Sequence, residues 1–354
     1  MLTVDVSPLL RGRWTRVQRE QVNSCHLGQG EGRIMTTFVQ QTLNGLTIGM
    51  IYALIALGYS MVYGVLKMVN FAHGDLCVLG AMFSLFLLQA TGITKGRLNI
   101  IEVPLTGTRL VGVSVMVFLG GMLFSAIAAL IIERFVYRPL RRASILTVLV
   151  SALGVSIALE NVMMLVFGRE MKSFPSLLQK RYFTIMGATY SNVQVFIAIL
   201  TVILLIGLFY LVNKTTLGRC IRAVAEDRDM AGLLGIDVNR VIVAVFGLGA
   251  ALGAVAGISH AMYYGQTYYL TGYQLMILGW ASAVIGGIGD MRGCDIAGLL
   301  IGFLEAVGGG YLPVLTGGLL GADYRRIFVF LVLIITLVVK PAGILGKPEV
   351  IIKA

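Results

Sequence analysis

The chain has 354 residues, of which 57% are apolar and 13% charged, with a formal net charge of +11 and a mean hydropathy of +0.88. A soluble domain carries about 25% charged residues, so this composition leaves too little polar surface for a water-soluble globule and excludes one. The basic excess would suggest nucleic acid in a soluble chain, but here it sits in the connections between apolar runs, where it reads as membrane topology and no nucleic-acid partner is implied.

Residues 1–34 are polar and basic and lack the apolar h-region of a signal peptide. They read as a disordered extension or the product of an upstream start, with Met35 as a natural beginning. Apolar segments then follow near Leu43–Val65, Leu76–Leu88, Val111–Ile132, Ile145–Phe167, Val193–Val212, Val241–Tyr263, Leu275–Ile288, Ile296–Leu315 and Ile327–Val339. Several exceed the 18 uncharged residues that a crossing of ~30 Å requires. Others are short and lie beside glycine breaks (Gly286, Gly287, Gly289; Gly308 to Gly310), which predicts broken or re-entrant helices facing protein or water. The expected fold is an all-α integral membrane protein, a polytopic bundle of about 8–10 transmembrane helices. It occupies residues 35–340, with a cytoplasmic loop at 213–240 and a cytoplasmic tail at 341–354.

Glycine is abundant, at 44 residues, and proline scarce, at 7. Between membrane helices, small residues allow close backbone approach, and two stripes have the required four-residue spacing: Gly45, Gly49, Ala53 and Gly249, Gly253, Gly257. The densest basic connection, Glu133–Arg142, should face the cytoplasm. The Asn213–Arg240 connection and the tail after Lys340 fall on the same side. Nine full crossings then put the N-terminus outside, against the basic residues before Arg33, a conflict that a re-entrant segment would remove. The cysteines Cys25, Cys77, Cys220 and Cys294 are scattered, without disulfide or metal spacing.

Four constellations could carry function. Asn70-Phe71-Ala72-His73-Gly74-Asp75 is wedged between two apolar runs. It reads either as a broken helix lining a pathway or as a polar turn with His73 bonded to backbone. The stretch Leu217–Arg240 is read as a short amphipathic helix, with Ala223, Met230, Leu233 and Leu234 on one side. Arg222, Glu226, Asp227 and Arg228 decorate the rest, and Gly235 is the C-terminal stop. Its mixed charge favours docking of a soluble partner over a position on the lipid surface. Ile285–Gly298 superficially resembles a dinucleotide-binding GxGxxG, but no βαβ unit surrounds it, so its glycines read as turns and contacts. Finally, Glu160 with Asn161, and Glu305, lie inside apolar runs; they read as pathway residues by default or as hydrogen-bonded struts between helices. No phosphate-binding loop is present, since Gly343–Lys347 ends in Pro348. No acid–base or metal cluster marks an enzyme, and no cofactor is expected.

Taken together, GMIYALIALGYSMVYGVLKMVNFAHGD, ERFVYRPLR, GRCIRAVAEDRDMAGLLGID, AVIGGIGDMRG and KPAGILGKPE resemble the branched-chain amino acid ABC-transporter permeases of the LivH type, from about Val39 to the end. Urea and short-amide permeases are similar. The resemblance implies a subunit of the bacterial inner membrane that pairs with a second, LivM-like permease. Two cytoplasmic ATP-binding subunits would power it, and a periplasmic or lipid-anchored binding protein would deliver substrate. It also implies an ATPase-coupling helix at Glu226 to Gly235. A stand-alone secondary transporter is the rival class; it would need intramembrane ionisable pairs for ion coupling and no docking loop.

Overall fold

The computed structural model describes residues 16–95, 99–101, 107–141, 143–185, 187–316, 319 and 321–346. Residues 1–15 and the side chains of 16–34, and with them Cys25 and the reading of the N-terminal extension, lie outside the described residues, as does the tail beyond Gly346.

Among the described residues nine apolar helices follow the nine apolar runs in order. They are α1 (Arg16–Leu66), α2 (His73–Ala90), α3 (Gly107–Ile132), α5 (Ile145–Phe167), α6 (Asn192–Lys214), α9 (Val238–Tyr264), α10 (Thr271–Gly286), α11 (Met291–Leu315) and α12 (Arg326–Val339). A π-helical turn over Glu133–Tyr137 and α4 (Arg138–Leu140) prolong α3; α7 (Thr216–Glu226) and α8 (Arg228–Leu233) fill the long connection; and a 3-10 turn over Ala322–Arg325 precedes α12. Seven of the nine, all but α10 and α12, are long and apolar enough to cross a bilayer. At 16 and 14 residues, α10 and α12 fall short of the ~30 Å hydrocarbon thickness at 1.5 Å per residue.

The two ends of the bundle differ. At one end lie three antiparallel ribbons: β1 (Thr94–Lys95) with β2 (Ile100–Ile101), β3 (Lys172–Ser173) with β6 (Gln266–Thr267), and β4 (Tyr182–Ile185) with β5 (Ala188–Ser191). The apolar part of α1 starts there, and Gln40 exchanges hydrogen bonds with the Thr189 backbone at 2.9 and 2.7 Å. At the other end Arg141 bonds Asn239, Arg228 reaches Val65, and the tail adds main-chain bonds from Ile344 to Ile285 and from Leu345 to Gly286. The basic connection, the long loop and the tail therefore share one end, and the start of the apolar α1 lies at the opposite end, as the count of crossings requires.

Both glycine stripes are helix seams. A methyl group added at Gly45 or Gly49 would sit 2.8 or 2.7 Å from the backbone of Phe303 or Leu299 on α11, and Gly298 packs on Ala53. The second stripe splits: Gly249 abuts Gly58 of α1, whereas Gly253 and Gly257 abut Cys77 of α2. Hydroxyls tie the same core together, with Ser125 donating to the Leu76 carbonyl and Ser84 to that of Val117. Helices α1, α2, α9 and α10 are enclosed by protein, while α3, α5 and α6 present apolar side chains outward, such as Ile145, Leu165 and Ile206.

Candidate translocation site and coupling loop

The Asn70–Asp75 segment runs from a turn into the first residues of α2, which starts at His73. Its position follows from Asn70, whose Oδ1 accepts from the Ala72 N–H at 3.1 Å and the Tyr137 hydroxyl at 2.7 Å. The first bond is an Asx-type turn that stops the chain from continuing α1; the second pins that turn to the π-helical end of α3. His73 is buried against Gly58 and Gly253, with Tyr59 edge-on at 6.1 Å. Its Nε2 has no hydrogen-bond partner among the described residues.

Asp75 is buried in the first turn of α2, where amides unsatisfied within the helix and the helix dipole favour a carboxylate. Its Oδ2 accepts from the Ser156 hydroxyl of α5 at 2.5 Å, and its Oδ1 has no hydrogen-bond partner among the described residues. That oxygen lies against Gly272 in the first turn of α10, where any side chain would collide with Asp75. Gly74 in turn packs on the Gly272 carbonyl. The starts of two helices, α2 and the short α10, thus meet inside the bundle around one carboxylate.

The other pathway candidates divide. Glu160, one turn beyond Ser156 on α5, is half-buried and an electrostatic neighbour of Asp75. Asn161 is exposed and bonds back to the Ile157 carbonyl of its own helix at 2.7 Å, so it joins no cluster. Glu305 lies elsewhere, in the wall of a cavity of about 380 Å³ toward the ribbon end. Its Oε2 accepts from the Tyr52 hydroxyl at 2.6 Å, and its Oε1 pairs with Arg325 Nε at 2.9 Å. His260, Tyr264 and Arg326 share that wall. Thr271 also lines it, and the next residue is the Gly272 that touches Asp75, so this part of the wall adjoins the α2–α10 junction. Tyr52, Tyr137, Ser156, Arg325 and Arg326 were not among the sequence candidates. The adjacent pair Arg325-Arg326 at the head of an apolar run was the available signal.

The Leu217–Arg240 connection corrects the expectation of one amphipathic helix, because it forms two. Thr215 caps α7 by accepting from the Gly218 N–H at 3.1 Å. Asp227 breaks the run by turning extended and capping α8, its Oδ1 accepting from the Asp229 and Met230 N–H groups at 2.8 and 3.0 Å. Gly235, at φ +83°, ends α8 as expected, with N–H bonds from Gly235 to Gly232 and from Ile236 to Ala231. This is the paired bonding of a Schellman stop.

Ile221, Val224 and Ala231 face inward, while Met230, Leu233 and Leu234 are 57%, 83% and 78% exposed. Ala223 belongs to α7 and does not share their helix. Glu226, the last residue of α7, is exposed beside the break. Arg222 stays exposed, as expected, while donating to the Val212 carbonyl, whereas Arg228 reaches inward and donates through Nε to that of Val65 at 2.8 Å. Both acceptors are carbonyls near helix ends, which lack partners within the helix. Burial, and then the nearby Arg141 guanidinium, hold Arg228 below the usual guanidinium pKa.

The family described as the permease component of branched-chain amino acid transport systems matches residues 41–337. BraD of Pseudomonas aeruginosa, a high-affinity branched-chain amino acid transport system permease protein, is 37% identical over 320 residues, covering 88% of this chain and 97% of its own. LivH of Escherichia coli, described in the same words, is 37% identical over 319 residues with the same coverage. A probable LivH of Methanocaldococcus jannaschii is 28% identical over 302 residues, 83% of this chain and 88% of its own.

Proposed function

Because the chain belongs to the family of branched-chain amino acid transport permease components, we propose that it passes branched-chain or other small apolar amino acids inward as one half of an ATP-driven channel. It is a multi-pass permease of the bacterial inner membrane and not an enzyme. Its relatives give the urea and short-amide alternative no support. The proposed assembly comprises this chain, a second LivM-like permease, two cytoplasmic ATP-binding subunits and a periplasmic or lipid-anchored binding protein.

The observation that carries the coupling part of this reading is the face of α8. Met230, Leu233 and Leu234 stand exposed on a helix capped at both ends and joined by Arg228 to the end of α1. Apolar side chains held rigidly at a water-facing bundle end suit insertion into a soluble subunit. Closure of two ATPases on ATP would move this loop as a rigid body and shift the bundle between outward and inward states.

The passage itself is proposed to run along Asp75, Ser156 and Glu160. Helix α5 covers that cluster from one side only and leaves Glu160 half-buried on an otherwise apolar surface. A carboxylate facing hydrocarbon is costly, so the reading closes that side with the second permease and makes the passage a shared seam. Asn70 and His73 shape the start of α2 from behind.

Proteoliposomes holding the complete transporter test this reading. Uptake of labelled leucine with the binding protein outside should require ATP inside and stop when the ATPase subunits are left out. Transport by the permeases alone would overturn it in favour of a secondary transporter.

A further inference from the structure

The cavity at the ribbon end has an unbalanced charge. Its charged groups are Glu305 on α11 and Arg325 and Arg326 ahead of and at the head of α12; the other polar groups facing it, from α1, α9, β6 and α10, include Tyr52, His260, Tyr264, Gln266 and Gln274. Glu305 accepts from Tyr52 through one oxygen, and its other oxygen, which accepts no hydrogen bond among the described residues, lies at ion-pair distance from Arg325. Arg326 has no acid. Its Nη2 donates to the neutral Oε1 of Gln274 at 3.0 Å, and its Nε is buried without a hydrogen-bond partner among the described residues. A buried guanidinium N–H without an acceptor is costly, and its planar fork matches a carboxylate. Met171, Leu275 and Leu278 supply apolar wall beside it.

We propose that this cavity is an entry site of the permease for small aliphatic carboxylates, with Arg326 as the residue that takes the carboxylate. The inference rests on the importer reading and deepens it. Neutral urea and short amides offer Arg326 no charge. An amino acid with an aliphatic side chain offers both a carboxylate and a group for the apolar wall. Thr271 in its wall is followed by Gly272, which touches Asp75, so a molecule held here stands beside the proposed passage. Selection by charge at this point would come after, and separately from, selection by the binding protein.

The test uses the complete transporter in nanodiscs, without binding protein, and saturation-transfer NMR with three probes. L-leucine carries both charged groups, 4-methylpentanoate lacks the ammonium, and L-leucinamide lacks the carboxylate. Leucine and 4-methylpentanoate should bind, and leucinamide should bind about tenfold more weakly or worse, as expected for losing a charge-assisted hydrogen bond. Arg326→Gln should bring leucine down to the level of leucinamide, while Arg326→Lys keeps a preference for the carboxylate. Equal binding of leucine and leucinamide to the wild type would overturn the proposal. So would unchanged leucine binding by Arg326→Gln, or no leucine binding at all. ATP-dependent leucine uptake by the wild type, measured in parallel, keeps the two readings apart: its loss sinks the importer, and its persistence with any overturning result sinks only the entry site.

Discussion

Arg228, in the loop between α6 and α9, donates through Nε to the main-chain carbonyl of Val65 at 2.8 Å, which ties that loop to the end of α1. Helix α1 holds Tyr52 against Glu305 and packs through Gly45 and Gly49 on α11. One side chain therefore connects the exposed face of α8 to the helix that reaches the far cavity. A second arginine, Arg222, clasps the end of α6 through the Val212 carbonyl. Packed helices move as bodies more readily than they deform, so a push on α8 has a defined route into the bundle.

Arg228→Ala should cut that route without unfolding the protein. A hydrogen bond from a charged donor is worth about 1.5–3 kcal/mol, so the loop would lose its fixed relation to α1 while α8 keeps both caps. The expected outcome in proteoliposomes is a fall in uptake of about tenfold with ATP hydrolysis largely retained. Uptake and hydrolysis falling together would show that Arg228 serves assembly instead of coupling.

Leu233→Ser combined with Leu234→Ser should weaken capture of the ATPase subunits. Both side chains are exposed, and Leu234 caps α8 only through its main-chain N–H, so folding of the permease should be unchanged. Burying a leucine contributes about 1.5–3 kcal/mol, and the pair should reduce ATPase retention on affinity-purified permease by a factor of ten or more. Full retention would move the docking face elsewhere. Gly235→Val, which forces a β-branched residue to φ +83°, should give a milder version of the same defect.

These two predictions show what could be read beforehand. Runs such as Val111–Ile132 and Val193–Val212 announce helices because hydrocarbon permits nothing else there, and the stripe Gly45, Gly49, Ala53 announces a seam through its spacing. Partners were not legible. Tyr52 and Glu305 are 253 residues apart and meet only because α1 and α11 pack together. Arg228 looked like solvated surface because a sequence does not show which helix carbonyl lies within reach of a long side chain. The break at Asp227 was legible in principle, since Asp before a helical stretch is a strong N-cap, but the continuous amphipathic pattern hid it.

The α1–α11 seam should not tolerate a single methyl. Gly49→Ala places Cβ 2.7 Å from the Leu299 backbone, which cannot rotate away, whereas at Gly207 of α6 nothing lies within 4 Å. Overpacking costs about 1–3 kcal/mol, and Gly→Ala in an unhindered helix gains up to ~1 kcal/mol. Thermal unfolding in detergent should therefore drop for Gly49→Ala and hold or rise for Gly207→Ala. Equal behaviour of the two variants would mean that the seam is looser than its geometry.

The last prediction separates a strut from a transport residue at Glu305. Removing one member of a buried pair costs about 3–5 kcal/mol because the other charge is stranded, but Arg325 keeps 34% of its side chain exposed, so water screens part of that loss. Glu305→Gln should therefore lower stability by about 1–3 kcal/mol, and Tyr52→Phe, which removes one hydrogen bond, by about 1 kcal/mol. The double variant Glu305→Gln with Arg325→Gln leaves no stranded charge, and its loss should be smaller than the sum of the two single losses. If that variant regains stability and also transports leucine normally, Glu305 is a strut that holds α11 against α1. If it regains stability while uptake stays low, the pair belongs to the passage, because the fold no longer accounts for the defect.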